Sequence, residues 1–120
     1  MSESLAGQLL LASPALVDPN FSRTVVLIGA HSAEGAMGVV LNRPSELTEA
    51  TARARVFAGY AGWGEGQLEA EIDHGDWIAE PALPEDVFTE VPAELWSRVL
   101  TRKGGSYALI ARMPVNPSVN

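Results

Sequence analysis

Hydrophobic positions at the front of the chain fall in short runs with no polar face. Gly7-Gln8-Leu9-Leu10-Leu11-Ala12-Ser13 is such a run, stopped by Pro14. It predicts a strand buried on both faces. Thr24-Val25-Val26-Leu27-Ile28-Gly29 is β-branched and apolar and predicts a second strand. Ala33-Glu34-Gly35 supplies a turn, and Ala36-Met37-Gly38-Val39-Val40-Leu41 a third strand close enough to pair with the second as a hairpin. Asp18-Pro19-Asn20-Phe21-Ser22 is a turn by composition. Ser45 to Ala50 has the residues to cap and begin a short helix. A fourth strand is expected at Arg55-Val56-Phe57-Ala58-Gly59-Tyr60.

The period then changes. Gly66 to Ile72 fits one or two helical turns, with Leu68 and Ile72 four apart on one face. Trp77-Ile78-Ala79-Glu80 reads as a short strand, and Asp86-Val87-Phe88 as a segment touching a sheet edge. Pro92 opens a helix with Leu95, Trp96, Val99 and Leu100 as its apolar stripe, closed by Gly104-Gly105. Tyr107 to Ala111 fits a strand or a buried helical turn. Together these predict an α+β class: a layered α/β sandwich of one domain, residues 1–120. Its sheet is mixed and largely antiparallel, of about four to six strands, with helices packed on it.

Between the predicted fourth strand and the first helix, four glycines and two aromatics crowd Gly59-Tyr60-Ala61-Gly62-Trp63-Gly64-Glu65-Gly66. A glycine-rich loop opening a helix can cradle a phosphate on free N–H groups. This one lacks both the Lys-Ser/Thr pair of a P-loop and the dinucleotide spacing. Glu65 and Glu69 would also repel an anion. Trp63 fits a packing anchor there as well as the wall of a site.

Charge narrows the functions. The formal net charge is −7, which disfavours a nucleic-acid partner. Cysteine is absent, so disulfides and thiolate metal sites are excluded, and two histidines leave little for a metal. No metal and no cofactor is expected. No apolar run of membrane-spanning length occurs, and the first residues show no signal-peptide pattern, so the cytoplasm is the expected compartment.

Four blocks carry a family likeness: Gly7 to Pro14, Asp18 to Leu27, Gly35 to Pro44, and Gly59 to Glu69. On their order and internal spacing the chain resembles the AlgH/YqgE family of bacterial proteins. The resemblance implies an intracellular protein without an established enzymatic activity. The family's name comes from a proposed role in regulating alginate synthesis. Family members carry a sizeable module between the Asn-Arg-Pro block and the Gly-Tyr-Ala-Gly-Trp block. Here only Ser45 to Phe57 bridge them, so the inserted module is expected to be absent.

The candidate ligand-binding residues are Arg23, Asn42, Arg43, Trp63 and Gln67. Arg23 and Arg43 carry forks suited to carboxylate or phosphate, and Asn42-Arg43-Pro44 leaves a strand end, where ligands sit in layered α/β folds. The alternative is structural: Asn42 bonds loop backbone, and Arg23 pairs with an acid such as Glu69. His31 and its neighbour Ser32 make a poor nucleophilic dyad, because adjacent strand residues face opposite ways. His74, beside Asp73 and Asp76, fits a solvated turn. No catalytic set emerges. The expected function is a non-enzymatic regulatory or partner-binding protein, with a homodimer and a further protein partner. The alternative is an anion-binding protein or weak hydrolase using a cleft between Asn42-Arg43 and the Gly62-Trp63-Gly64 loop.

Overall fold

Leu9, Leu10 and Leu11 of β1 (Gln8–Ala12) are all fully buried, so the strand needs cover on both faces. A computed structural model of the chain describes residues 4–14, 16, 23–42 and 60–112 and shows how that cover is arranged. β2 (Val25–Ser32) runs antiparallel to β1, with Leu10 opposite Val26. β3 (Gly35–Val40) folds back on β2, and β4 (Tyr60–Trp63) pairs with β3. β5 (Trp77–Pro81) pairs with the other side of β1. The five strands form one sheet in the order β4-β3-β2-β1-β5, antiparallel at every pairing.

Helices cover the two faces. On one, Leu68 and Ile72 of α1 (Gln67–His74) pack against Leu10, Val26, Ile28 and Val40. On the other, Leu95, Trp96, Val99 and Leu100 of α3 (Leu95–Lys103) pack against Leu9, Leu11, Val25 and Leu41. α2 (Pro84–Val87) and α4 (Ser106–Ile110) flank α3, and Val87 and Ile110 pack against the same cluster. The architecture is the α+β sandwich that the apolar runs imply, although every pairing among the described strands is antiparallel where a mixed sheet was expected. α1 ends where Gly75, at φ 91°, turns its N–H back to the Glu71 and Ile72 carbonyls, a left-handed stop that glycine adopts at little cost.

Several elements differ from the sequence reading. A fourth strand was expected at Arg55–Tyr60; Arg55 to Gly59 lie outside the described residues, and β4 runs on past that range over Tyr60–Trp63. Tyr60 to Trp63 of the glycine stretch are therefore strand, and the turn is Gly64-Glu65-Gly66. Pairing with β3 and burial of Trp63 outweigh the poor strand propensity of Gly62. Asp86-Val87-Phe88 pairs with no strand among the described residues: Asp86 and Val87 belong to α2 and Phe88 caps it. Pro84 presets a helical turn, and the Asp86 carboxylate accepts the Leu83 N–H at 2.8 Å. The helix at Pro92 begins as a 3-10 turn, Pro92–Glu94, before α3 proper. Tyr107 to Ala111 resolves to the helix α4. The Asp18–Ser22 turn and the Ser45–Ala50 helix lie outside the described residues. The β2–β3 register shifts between Ile28 and Ala30, a bulge at Gly29.

Asp86 ties α2 to α3. It is 1% exposed and receives both terminal nitrogens of the Arg102 guanidinium at 2.9 Å. Burial pushes its carboxyl up, but the Arg102 and Leu83 hydrogen bonds and the charges of Arg102 and Arg98 outweigh this and hold it below the usual carboxylate range. A lowered folded-state pKa contributes stability that is present above the unfolded value, about 4, and is lost as pH falls through the folded one. Asp86→Asn should therefore lower the urea midpoint at pH 7 and flatten the acid decline seen in the unsubstituted chain. Unfolding curves taken between neutral pH and about pH 3 measure both.

The hairpin also has a tight spot. A Cβ added at Gly38 would lie 2.5 Å from Val26 Cγ1 and 2.8 Å from the Leu27 carbonyl oxygen, whereas one at Gly62 meets nothing within 4 Å. Gly38→Ala should cost about 1–3 kcal/mol by overpacking. Gly62→Ala should be near neutral. Urea denaturation of the two variants side by side checks the contrast.

Candidate functional site

The candidate residues fall into two groups. The first sits where β2 begins and β3 ends. Arg23 has φ 57°, the one positive value outside glycine among the described residues. Its carbonyl accepts the Asn42 Nδ2–H at 2.7 Å, and Asn42 Oδ1 accepts the Val25 N–H at 2.9 Å. Both ends of the Asn42 amide thus clamp the backbone that brings β2 and β3 together. The Arg23 guanidinium lies 4.5 Å from the centroid of the Trp96 ring, a contact worth about 0.5–1 kcal/mol at a partly exposed site. Trp96 in turn donates its indole N–H to the Ala12 carbonyl at 2.9 Å. The corner links β1, β2, β3 and α3.

The second group sits at the glycine turn. Trp63 and Trp77 pack edge to face with centroids 5.9 Å apart, and both indole N–H groups donate to one oxygen, Glu71 Oε1, at 2.9 and 2.8 Å. Gln67 Nε2 donates to Glu71 Oε2 at 2.9 Å, and Gln67 Oε1 accepts the Gly64 N–H at 3.0 Å. One carboxylate on α1 thereby orients two indoles from strands on opposite edges of the sheet. Ala61, Gly62, Trp63, Gln67, Glu71 and Trp77 border a hollow of about 160 Å³, whose polar walls are already committed to one another.

The two groups are not neighbours. Trp63 pairs with Ala36 at the start of β3, whereas Asn42 follows that strand's end. Six residues of strand separate them, roughly 20 Å. The expected cleft between Asn42 and the Gly62-Trp63-Gly64 loop is not formed, because an antiparallel β4 puts its C-terminal end beside the beginning of β3. Arg43 lies outside the described residues. The expected pairing of Arg23 with Glu69 is also replaced: Arg23 stacks on Trp96, and Glu69 binds His31.

That last pair is the best-defined polar contact on the α1 face. His31 Nδ1 accepts the Leu5 N–H at 2.8 Å, which fixes the proton of the neutral ring on Nε2. Nε2 then donates to Glu69 Oε2 at 2.9 Å. This hydrogen bond lowers the Glu69 pKa. The one lone pair of the neutral ring, on Nδ1, is occupied by the Leu5 N–H, so His31 is not placed to take a proton from a nucleophile. His74 bonds the Asp76 carboxylate at 3.0 Å on an exposed turn, which raises its pKa. Among the described residues no group of three His, Cys, Asp or Glu could hold a metal.

Glu71, Trp77 and Trp96 were absent from the sequence-based set. Their signal was present, since three tryptophans each bring an indole N–H that needs an acceptor once buried; only the pairing was hidden. Glu71→Ala removes the acceptor shared by the two indole N–H groups and should cost about 2–3 kcal/mol. Tryptophan fluorescence during urea unfolding reads both the loss and the changed ring environment.

Comparison with known proteins agrees with this fold. The AlgH-like family profile matches residues 9–52 and 48–108. A UPF0301 protein of Thermobifida fusca is 35% identical over an alignment of 190 residues that covers 98% of this chain and 96% of the relative. A UPF0301 protein of Streptomyces coelicolor is 33% identical over 185 residues, covering 98% and 96%. Among solved structures, Corynebacterium diphtheriae protein DIP2367 is similar with a TM-score of 0.78 at 23% identity, over 94% of each chain. The AlgH protein of Pseudomonas aeruginosa is similar with a TM-score of 0.68 at 24% identity, over 95% of this chain and 98% of its own. The chain belongs to the AlgH-like family, to which the UPF0301 proteins are its relatives.

Proposed function

We propose that this AlgH-like chain acts in the cytoplasm as a regulatory, partner-binding protein, and that a second copy of the chain is one of its partners, docked along β4. The unlike treatment of the two sheet edges carries this reading. On β5, Lys103 Nζ holds the Ala79 carbonyl at 3.1 Å and Glu80 Oε1 at 3.3 Å, and Arg102 holds the Pro81 carbonyl at 3.3 Å. Proline brings no N–H. Cations from α3 laid on the carbonyls of an edge strand, and a proline within it, are devices that prevent strand addition.

β4 has none of them: Tyr60-Ala61-Gly62-Trp63 is uncharged. The Trp63 carbonyl is aimed at β3, close to Gly35, so the alternation of an antiparallel ladder turns the Gly62 amide outward. Gly62 is exposed, and its cross-strand neighbour Met37 is 59% exposed. Two such edges meeting antiparallel are related by a two-fold axis and bring no like charges together. Absence of the inserted module is part of the same proposal. It is supported by an alignment with the Thermobifida fusca relative that is longer than this chain and by a family match in two segments meeting at residues 48–52.

Light scattering coupled to gel filtration tests the dimer. The expected result is a concentration-dependent dimer, returned to monomer by Gly62→Lys, with the same unfolding midpoint for the two chains at dilutions where both are monomers. A monomer at every concentration overturns the self-docking, and so does a dimer that Gly62→Lys leaves intact.

A further inference from the structure

The N-terminal segment is held to the sheet through a histidine ring. Leu5 N–H donates to His31 Nδ1 at 2.8 Å, Ser4 Oγ donates to the His31 carbonyl at 3.4 Å, and the Ala6 N–H returns to Ser4 Oγ at 3.1 Å. Two residues on, the Gly7 N–H is anchored independently to the Ile28 carbonyl at 2.9 Å. The His31 side chain is 5% exposed, and the Glu69 carboxylate that receives its Nε2–H is 42% exposed. Leu5 itself packs on the apolar cluster that contains Ile28, Trp63 and Leu68.

We propose that His31 is a pH-operated latch, holding Ser4–Ala6 on the sheet when its ring is neutral and releasing that segment when the ring is protonated. Since Nε2 already carries a proton, a second can enter only at Nδ1. There it faces the Leu5 N–H, donor against donor, and the bond that ties down the segment is cancelled. Glu69 from α1 lies 2.9 Å from Nε2, and Glu34 of the β2–β3 turn borders the same hollow as His31. Ser32 adds no charge, and its hydroxyl accepts the Glu34 N–H.

Acid therefore does two opposite things to one ring. It strengthens the tie to α1 and dissolves the tie to the N-terminal segment. The ring stays where it is, the segment pivots at Gly7, and the surface under Leu5 is uncovered.

Amide exchange of the intact chain, followed by NMR between about pH 8 and pH 5, tests the latch, with the ring ¹⁵N shifts reporting protonation of His31. The expected result is a fall of about tenfold in Leu5 protection, corrected for intrinsic exchange, at the same midpoint as the ring titration. His31→Asn offers an amide oxygen near the Nδ1 position and does not titrate, so Leu5 should stay protected throughout. Glu69→Gln keeps an acceptor for Nε2–H but removes the charge, and should move the ring and Leu5 midpoints down together. Constant Leu5 protection in the unsubstituted chain while the ring titrates overturns the proposal. So does a ring that stays neutral over the whole range, or an equal loss of protection in His31→Asn.

Discussion

Three adjacent leucines that offer water no polar side set the terms for the rest of this molecule. Leu10 points to one face of the sheet and Leu9 and Leu11 to the other, and each buried leucine contributes about 2 kcal/mol only if its face is covered. A sheet with one solvated face would expose at least one of them. Helices on both faces follow, and with them a chain that visits α1 between β4 and β5 before crossing to α2, α3 and α4. The apolar cover is unequal. α3 and its neighbours lie over β1 and the start of β2, so the β3–β4 side of that face keeps Met37 in solvent.

What the sequence revealed and what it hid divide along local and long-range terms. β1, β2, β3 and β5 were legible because each is a short apolar run bounded by its own turn residues. α1 and α3 were legible through their helical stripes. β4 was not. Gly62 and Ala61 carry little strand signal, and only pairing with β3 and burial of the Trp63 ring make that stretch extended. α2 was missed because its stabilising contact is Arg102 on another helix, sixteen residues away.

The site shows the same division. Asn42 as a backbone clamp and Trp63 as an anchor follow from residue type, and both were weighed from the sequence. Their separation follows from strand direction, which residue type does not encode. Glu71 carries no sequence motif, yet it joins two tryptophans fourteen positions apart, and that bond holds the glycine turn against the sheet. Trp63, Gln67, Glu71 and Trp77 thus spend their polar atoms on one another.

The bulge at Gly29 governs more than a local twist. Up to Ile28, even-numbered residues of β2 look toward α1: Val26 and Ile28 belong to that face. One additional residue reverses the parity, so that Ala30 stands opposite Met37 and His31 opposite Ala36. An odd-numbered side chain thereby arrives on the side where α1 waits with Glu69. Straightening the strand with Gly29 kept in the ladder would aim the imidazole at the far side of the sheet, away from every group it now touches, without altering any residue in its immediate environment.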